Sequence, residues 1–520
     1  MDLNLIKDYI EYEQSIAQND TKVFIKEEYV IPDTLPDVDN ILMLDVKPMI
    51  TNKEVGVDKV NLEGQLQYTI LYMAKEGGAT EAHSVNYNGH ISESIDMVGA
   101  QQNMYCDIEL DIEHMDCIII NERKIAIQGF VVCKCNGYNI NSFEIVKDVH
   151  EGKDIQFLKI PMTVDKVMEP IETELLGKAE MKIDMDKNEC LKVIKYNVSI
   201  SKKDVRIYEG GLKIEATANV VILYKGKNGR DLFCISENVP LYKEVTVDKL
   251  KPNMEYFTDF QLYSFEYDIR QDDMGENRVI DVEFIVKAIT RVMYKEEVEV
   301  IEDCYCPSKI LNMDNKENNI NVIQGQGYSE TLVKGDIEVK DDDIKPTKVI
   351  MTTGNAIITE QTIKNDKVEI EGLLKVCVLY GTEDEEKYIV NLNDDIPFSC
   401  KVDIAGAKPN MQVAAHVCLE MVEGSLEAGN ISIRAIVKVH CKVYYSTKNK
   451  FVVNMSMSDD ELPPKKSSVI IYVVQPEDTL WKIAKKYLTT VNELMNINEL
   501  DDKDDIKPNQ KLIIPGRAVI

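Results

Sequence analysis

The sequence predicts a mainly β multidomain chain, in which three repeated strand-rich units precede a small α+β module of order β-α-α-β. Three observations carry this reading. At 520 residues the chain exceeds what a single hydrophobic core supports, so length alone indicates several domains. A β-branched run ending in Leu-Tyr recurs at nearly constant spacing through most of the chain, the mark of a repeat architecture. Near the C-terminus the two-residue alternation of strands gives way to a helical period.

Residues 1–21 are expected to be a helical or flexible lead. The first repeat is then placed at 22–150, the second at 155–310 and the third at 322–452. Their shared run spans Val60-Asn61-Leu62-Glu63-Gly64 to Ile70-Leu71-Tyr72 in the first copy. In the second it spans Leu212-Lys213-Ile214-Glu215-Ala216 to Ile222-Leu223-Tyr224, and in the third Val368-Glu369-Ile370-Glu371-Gly372 to Val378-Leu379-Tyr380. The three tyrosines lie 152 and 156 residues apart. Turn chemistry follows each Leu-Tyr, namely Glu76-Gly77-Gly78, Lys227-Asn228-Gly229 and Gly381-Thr382-Glu383-Asp384. A second alternating run comes after it, so each copy should contain a β-hairpin.

A second landmark, Asn103-Met104, Asn253-Met254 and Asn410-Met411, precedes further alternating strands at Ile125–Val132, Val279–Ala288 and Ile431–Val439. Glu63, Glu215 and Glu371 are expected to be edge charges that discourage sheet-to-sheet pairing, and the tyrosines to be strand packing residues. Residues 456–468, with Pro463-Pro464, form a polar linker.

The C-terminal module is placed at 470–516. Ile470 to Val474 make a β-branched run, and Pro476-Glu477-Asp478 ends it. Leu480, Ile483, Ala484 and Tyr487 share one face of a helix, with Asp478 or Thr479 positioned to cap it. Thr490-x-x-Glu493 is a capping box for a second helix bearing Leu494 and Met495, and Leu512 and Ile514 belong to a closing strand.

Composition excludes several functions. With 90 acidic and 60 basic residues the formal charge is -30, which repels phosphate backbones, so nucleic acid is not expected as a partner. The N-terminus lacks a basic segment followed by an apolar run, and no window approaches the ~18 apolar residues of a membrane span; a cytoplasmic protein with no transmembrane segment is expected. The twelve cysteines are expected to be buried thiols. Cys133-Lys134-Cys135 and Cys304-Tyr305-Cys306 each put two thiols on one strand face, which suits a metal or a half-buried sheet equally, and no second pair stands nearby at zinc-site spacing. No phosphate loop, dinucleotide fingerprint, zincin motif or nucleophile elbow is present. The six histidines, His83, His90, His114, His150, His416 and His440, form no catalytic dyad. No enzyme activity, cofactor or metal is expected.

The C-terminal residues Tyr472-x-Val474, Asp478-Thr479-Leu480, Ile483-Ala484, Tyr487, Leu494, Asn498, Ile506-x-Pro508 and Gln510-x-Leu512-x-Ile514-Pro515 closely resemble a LysM domain. The resemblance implies a shallow groove for N-acetylglucosamine-containing glycans between the loop after the first strand and the loop before the second. Here that groove would be Pro476, Glu477, Asp478, Thr479 and Leu480 on one side and Asn498, Glu499, Leu500, Asp501 and Asp502 on the other. Glu477 and Asn509 stand where the family often has glycine.

The three copies, with the lead-in Ile31-Pro32-Asp33-Thr34-Leu35-Pro36-Asp37-Val38 before Ile41-Leu42, resemble the SPOCS domain of endospore coat proteins. The second and third copies lack that proline-rich lead-in. SPOCS repeats followed by one LysM domain resemble the SipL-like family of spore coat morphogenetic proteins, of which SpoVID is a functional analogue. This implies a mother-cell scaffold at the forespore surface whose partner is the SpoIVA-type ATPase of the coat's basement layer. Other coat proteins, or self-association through exposed strand edges, are further expected contacts. The alternative is a wall-associated protein that binds peptidoglycan or another GlcNAc-containing glycan, or an accessory to a wall hydrolase.

Overall fold

A computed structural model describes residues 3–515 apart from 77–78, 103, 151–153, 228–229, 340–343, 428, 459, 461, 463–468 and 503–505. Asn103, Gly77-Gly78, Asn228-Gly229 and Pro463-Pro464, singled out in the sequence, lie outside the described residues.

The first group of strands is β1 (Leu5–Val30), β2 (Asn40–Val55), β3 (Lys59–Glu76), β4 (Ala79–Asp96), β5 (Tyr105–Asn121) and β6 (Lys124–Val149). They form two antiparallel sheets, β2-β3-β4 and β1-β6-β5. Inward positions alternate along each strand as the pleat requires. Leu62, Leu66, Tyr68, Ile70 and Tyr72 of β3 thereby meet Ile125, Ile127, Val131, Cys133 and Cys135 of β6 in one core.

The second group is β7 (Gln156–Val167), β8 (Ile171–Lys182), β9 (Cys190–Tyr208), β10 (Gly211–Gly226), β11 (Leu232–Thr246), β12 (Glu255–Arg270) and β13 (Val279–Tyr305). β9-β10-β11 form one sheet, while β7 and β8 both pair with β13 beside β12. β7 and β8 correspond to one long strand interrupted just before Ile171 by Pro170, which has no N–H to give to the ladder. The third group is β14 (Leu311–Ile337), β15 (Lys348–Lys364), β16 (Lys367–Gly381), β17 (Ile389–Asp403), β18 (Gln412–Glu427) and β19 (Asn430–Met457). It repeats the arrangement of the first group, as β15-β16-β17 and β14-β19-β18.

The predicted hairpins are β3–β4, β10–β11 and β16–β17. Two expectations are corrected. In place of the expected helical or flexible lead, the chain is strand from Leu5 on, where β1 begins and pairs with β6 out to Val149; the far half of β6 needs a partner for its backbone groups, and this segment supplies it. Glu63, Glu215 and Glu371 lie on β3, β10 and β16, the central strands of their sheets, so none is an edge charge.

The repeats pack around a pseudo-threefold axis. In each Leu-Tyr pair the tyrosine enters its own repeat's core. Leu71, Leu223 and Leu379, pointing the opposite way, meet one another in a shared cluster. Each leucine pairs across the sheet with Met43, Lys195 or Met351. Just before each of these the register slips by one, leaving Leu42, Ile194 and Ile350 as bulge residues that also enter the shared cluster. A bulge lets two successive residues face one side, and here it thickens the junction.

Farther along the axis, Ile145, Val300 and Phe451 join Ile10, Val164 and Ile320 in a second three-way cluster. Val146, Ile301 and Val452 form a third with Val149, Cys304 and Met455. Among β6, β13 and β19 these are matching positions, twenty residues beyond Ile125, Ile280 and Ile431 for the first trio.

Polar links complete the junction. Tyr388 accepts from the Ala82 N–H at 3.0 Å and donates to the Arg230 carbonyl at 2.8 Å, tying all three repeats together. Lys195, with a side chain only 4% exposed, stands where the other repeats place methionine and pairs with Asp45 at 3.0 Å.

Candidate functional site

The C-terminal module consists of β20 (Val469–Val473), α1 (Leu480–Tyr487), α2 (Val491–Ile497) and β21 (Lys511–Pro515), with β20 and β21 antiparallel. Thr479 caps α1, accepting from the Lys482 N–H. The capping box at Thr490 and Glu493 is formed in both directions. Leu480, Ile483, Ala484, Leu494, Leu512 and Ile514 fill a small core with Val474.

Of the expected groove residues, several have side chains committed to holding the loops. The Asp478 carboxylate accepts from the Tyr472 hydroxyl at 2.7 Å and the Gln475 N–H at 2.8 Å. These bonds and the nearby Lys486 and Lys482 outweigh its burial and lower its pKa. Asn498 donates to the Leu494 and Ile513 carbonyls, both at 2.8 Å, and accepts from the Ile513 N–H at 2.6 Å; it pins the end of α2 to β21. Leu480 is core, and Leu500 packs at its border. Pro476, Glu477, Thr479, Glu499, Asp501 and Asp502 are exposed, so the outward rim is rich in carboxylates.

Glu477 and Asn509 both adopt left-handed backbone, with φ of 69° and 71°. These are the two positions noted for lacking glycine, and the chain keeps the glycine-type conformation at both. Asn509 also completes the loop, its N–H donating to the Val474 carbonyl at 2.8 Å while Val474 donates to Gln510 at 2.9 Å.

The module is seated on the tip of β13. Asp303 accepts from Trp481 Nε1 at 2.9 Å and from Lys485 Nζ at 2.6 and 2.8 Å. Tyr305, 5% exposed, donates from its hydroxyl to the Thr489 carbonyl at 2.8 Å and meets Trp481 edge-on at 4.9 Å. Matching positions in the other repeats are Asp148 and His150, and Asn454 and Ser456. Neither has the Asp-plus-Tyr combination, so the seat is particular to the second repeat.

Family models match this division of the chain: a SipL, SPOCS domain model covers residues 37–120, 189–270 and 345–427, and a LysM domain model covers 472–515. The chain is a SipL-type array of three SPOCS domains with a C-terminal LysM domain. No curated protein and no solved structure matches it. The SPOCS and LysM domains are binding-type domains, and the SipL family ties the chain to sporulation. No helix among the described residues is long and apolar enough to cross a membrane.

The LysM seat was missed by sequence reasoning. The Cys304-Tyr305-Cys306 spacing drew attention to its thiols, whereas the residue that touches the LysM domain is the tyrosine between them. Cys304 Sγ instead lies 3.0 Å from Met313 Sδ and 3.2 Å from Met455 Sδ. Among the described residues no group of three or more His, Cys, Asp or Glu side chains is arranged to hold a metal.

Also missed was a shared clasp in the SPOCS domains. Arg123 donates to the carbonyls of Ile31 and Leu35, at 2.8 and 2.7 Å, and pairs with Asp33 and Asp37. Arg278, at the matching place in the second repeat, donates to the carbonyls of Asp184 and Lys187 at 3.0 and 2.8 Å. Tyr72 and Tyr224 close the same loops by donating to Pro36 and Asn188. The lead-in is thus held alike in the two repeats despite their different sequences, and the third repeat has Gly429 at the arginine's place.

Proposed function

We propose that this protein is a non-enzymatic scaffold of spore coat morphogenesis, acting in the mother-cell cytoplasm and recruited to the forespore surface. Its LysM domain binds the SpoIVA-type ATPase of the coat's basement layer and thereby promotes coat encasement; ATP hydrolysis belongs to that partner. The observation that carries this reading is the combination of three SPOCS domains and one LysM domain on a single packed platform. The LysM face bearing Trp481 and Lys485 is occupied by the second repeat, while Pro476, Glu477, Glu499, Asp501 and Asp502 face solvent. A carboxylate-bearing rim favours a basic protein surface over a neutral sugar.

The second reading, a peptidoglycan or GlcNAc-glycan binder, is favoured by the LysM class itself. Self-association of the SPOCS array through strand edges, or contact with other coat proteins, would add to the scaffold role.

The experiment is calorimetric titration of the full chain with the ATPase and, separately, with N-acetylglucosamine oligomers. Groove variants Glu477→Lys and Asp501→Lys should weaken ATPase binding with the fold retained. Variants at Asp478 or Thr479 are poorer probes, since their side chains fix the loop. Saturation by glycan alone, with no response to the ATPase, would select the second reading.

A further inference from the structure

Outside the LysM groove, two thiols stand close together inside the first SPOCS domain. Cys106 on β5 and Cys135 on β6 have sulfurs 2.8 Å apart, about 0.8 Å beyond a bonded pair. The register places Cys106 opposite Gly137 and Ile108 opposite Cys135, so the two thiols are diagonal neighbours on the inward face. They are 4% and 0% exposed. We propose that Cys106 and Cys135 are a site of reversible oxidation, forming a disulfide that staples β5 to β6 when the protein meets a small peroxide.

The neighbourhood makes Cys106 the attacking thiol. The hydrogen bond from Cys135 lowers its pKa against the effect of burial, and the Lys53 ammonium adds to this; Lys53 Nζ donates to the Cys106 carbonyl at 2.6 Å. Cys135 is shifted upward by the same hydrogen bond and by burial. The Cys106 thiolate attacks one peroxide oxygen and the O–O bond breaks, giving a sulfenic acid and hydroxide, which takes up the proton Cys106 had released. Cys135 then attacks the sulfenic sulfur, the S–S bond forms and the second water leaves. Two thiols and one hydrogen peroxide thus give one disulfide and two waters. Burial restricts the oxidant to a small molecule.

The staple would fall on a strand that carries polar links from the first repeat to both others. From β5, Asp107 pairs with Arg291 of the second repeat, Glu109 with His416 of the third, and the Glu113 carbonyl accepts from Lys375 of the third. Fixing β5 to the central strand β6 braces all three links.

The test uses the intact full-length protein, treated with hydrogen peroxide or left reduced, quenched in acid, blocked with N-ethylmaleimide and digested with trypsin. Cleavage after Lys134 isolates Cys135 from Cys133, in a peptide running to Lys147 with no other cysteine. Expected is a link between that peptide and the one holding Cys106, located at Cys106 by fragmentation, present in most peroxide-treated chains, absent from Cys106→Ser protein and lost on dithiothreitol treatment. A Cys117→Ser variant, which removes the other cysteine of the Cys106 peptide, should keep the link. The proposal is overturned if Cys135 is recovered as a maleimide-blocked thiol after peroxide, if the link runs to Cys117, or if it arises only in chains unfolded before treatment.

Discussion

Replacing Asp303 by alanine should release the LysM domain from the second repeat. Asp303 is the shared acceptor for Trp481 Nε1 and Lys485 Nζ. The lysine side chain is 41% exposed, so that ion pair contributes at most about 1 kcal/mol. The indole bond to a carboxylate contributes about 1.5–3 kcal/mol. A loss of about 2–3 kcal/mol weakens docking roughly 30- to 150-fold. Adding Tyr305→Ala removes a buried aromatic worth about 3–5 kcal/mol, together with its bond to Thr489. Trp481 is the only tryptophan, so intrinsic fluorescence reports this contact without labelling. The double variant should show red-shifted emission and faster acrylamide quenching than the unaltered chain, with Asp303→Ala between them. Asn454→Ala, the matching position in the third repeat, should leave the spectrum unchanged. Identical emission and quenching in the double variant and the unaltered chain would refute the docking argument.

Three further outcomes follow from the packing. Asp45→Ala should cost about 3 kcal/mol in chemical denaturation by leaving Lys195 buried without its partner, whereas Lys195→Met with Asp45→Thr, copying Met351 and Thr353 of the third repeat, should be neutral or stabilising. Glu477→Gly should slow hydrogen exchange in α1 by stabilising the LysM domain about 0.5–1 kcal/mol, the left-handed penalty less glycine's backbone entropy; Asn509→Gly should change little, because asparagine tolerates that region. The His416 imidazole pKa is raised by its hydrogen bond to Glu109, whose own is lowered by the same contact. With Asp259 and Lys203 also facing His416, and Lys134 and Arg291 facing Glu109, the stabilisation is complete between about pH 4.5 and 6.5. It is lost as pH rises through the raised His416 value, and as pH falls through the lowered Glu109 value. The difference in thermal midpoint between the unaltered chain and His416→Ala should therefore be larger at pH 5.5 than at pH 8.5. His440, opposite His416, is pushed down to about 4 by burial, so it adds little to the difference between pH 5.5 and 8.5.

What was legible in the sequence was whatever repeats or alternates. Leu-Tyr marked the same strand in each copy, and the helical period with its capping box marked α1 and α2. The junction was not legible, because a leucine facing a neighbouring repeat has the same pattern as one facing its own core. The bulges at Leu42, Ile194 and Ile350 place buried residues in succession, as the Leu-Tyr pairs do, and a single sequence does not distinguish either from a strand buried on both faces of one core. β1 was hidden because its partner is the distant half of β6, more than a hundred residues away in the chain. In the LysM domain the loops were found but their inner workings were not. Asp478 and Asn498, expected in the groove from their position, also hold the loops, Asp478 through the Tyr472 hydroxyl and the Gln475 N–H and Asn498 through the Leu494 and Ile513 backbone. Trp481, a residue the sequence pattern left without a role, faces Asp303 and Tyr305.

The measurement that bears most directly on the scaffold role is the affinity of the full chain for a SpoIVA-type ATPase, compared with that of Glu477→Lys/Asp501→Lys protein whose Trp481 emission is unchanged. The account predicts saturable binding by the unaltered chain and at least a tenfold loss in the double variant. Equal affinity in the two proteins would contradict a LysM groove turned toward this partner.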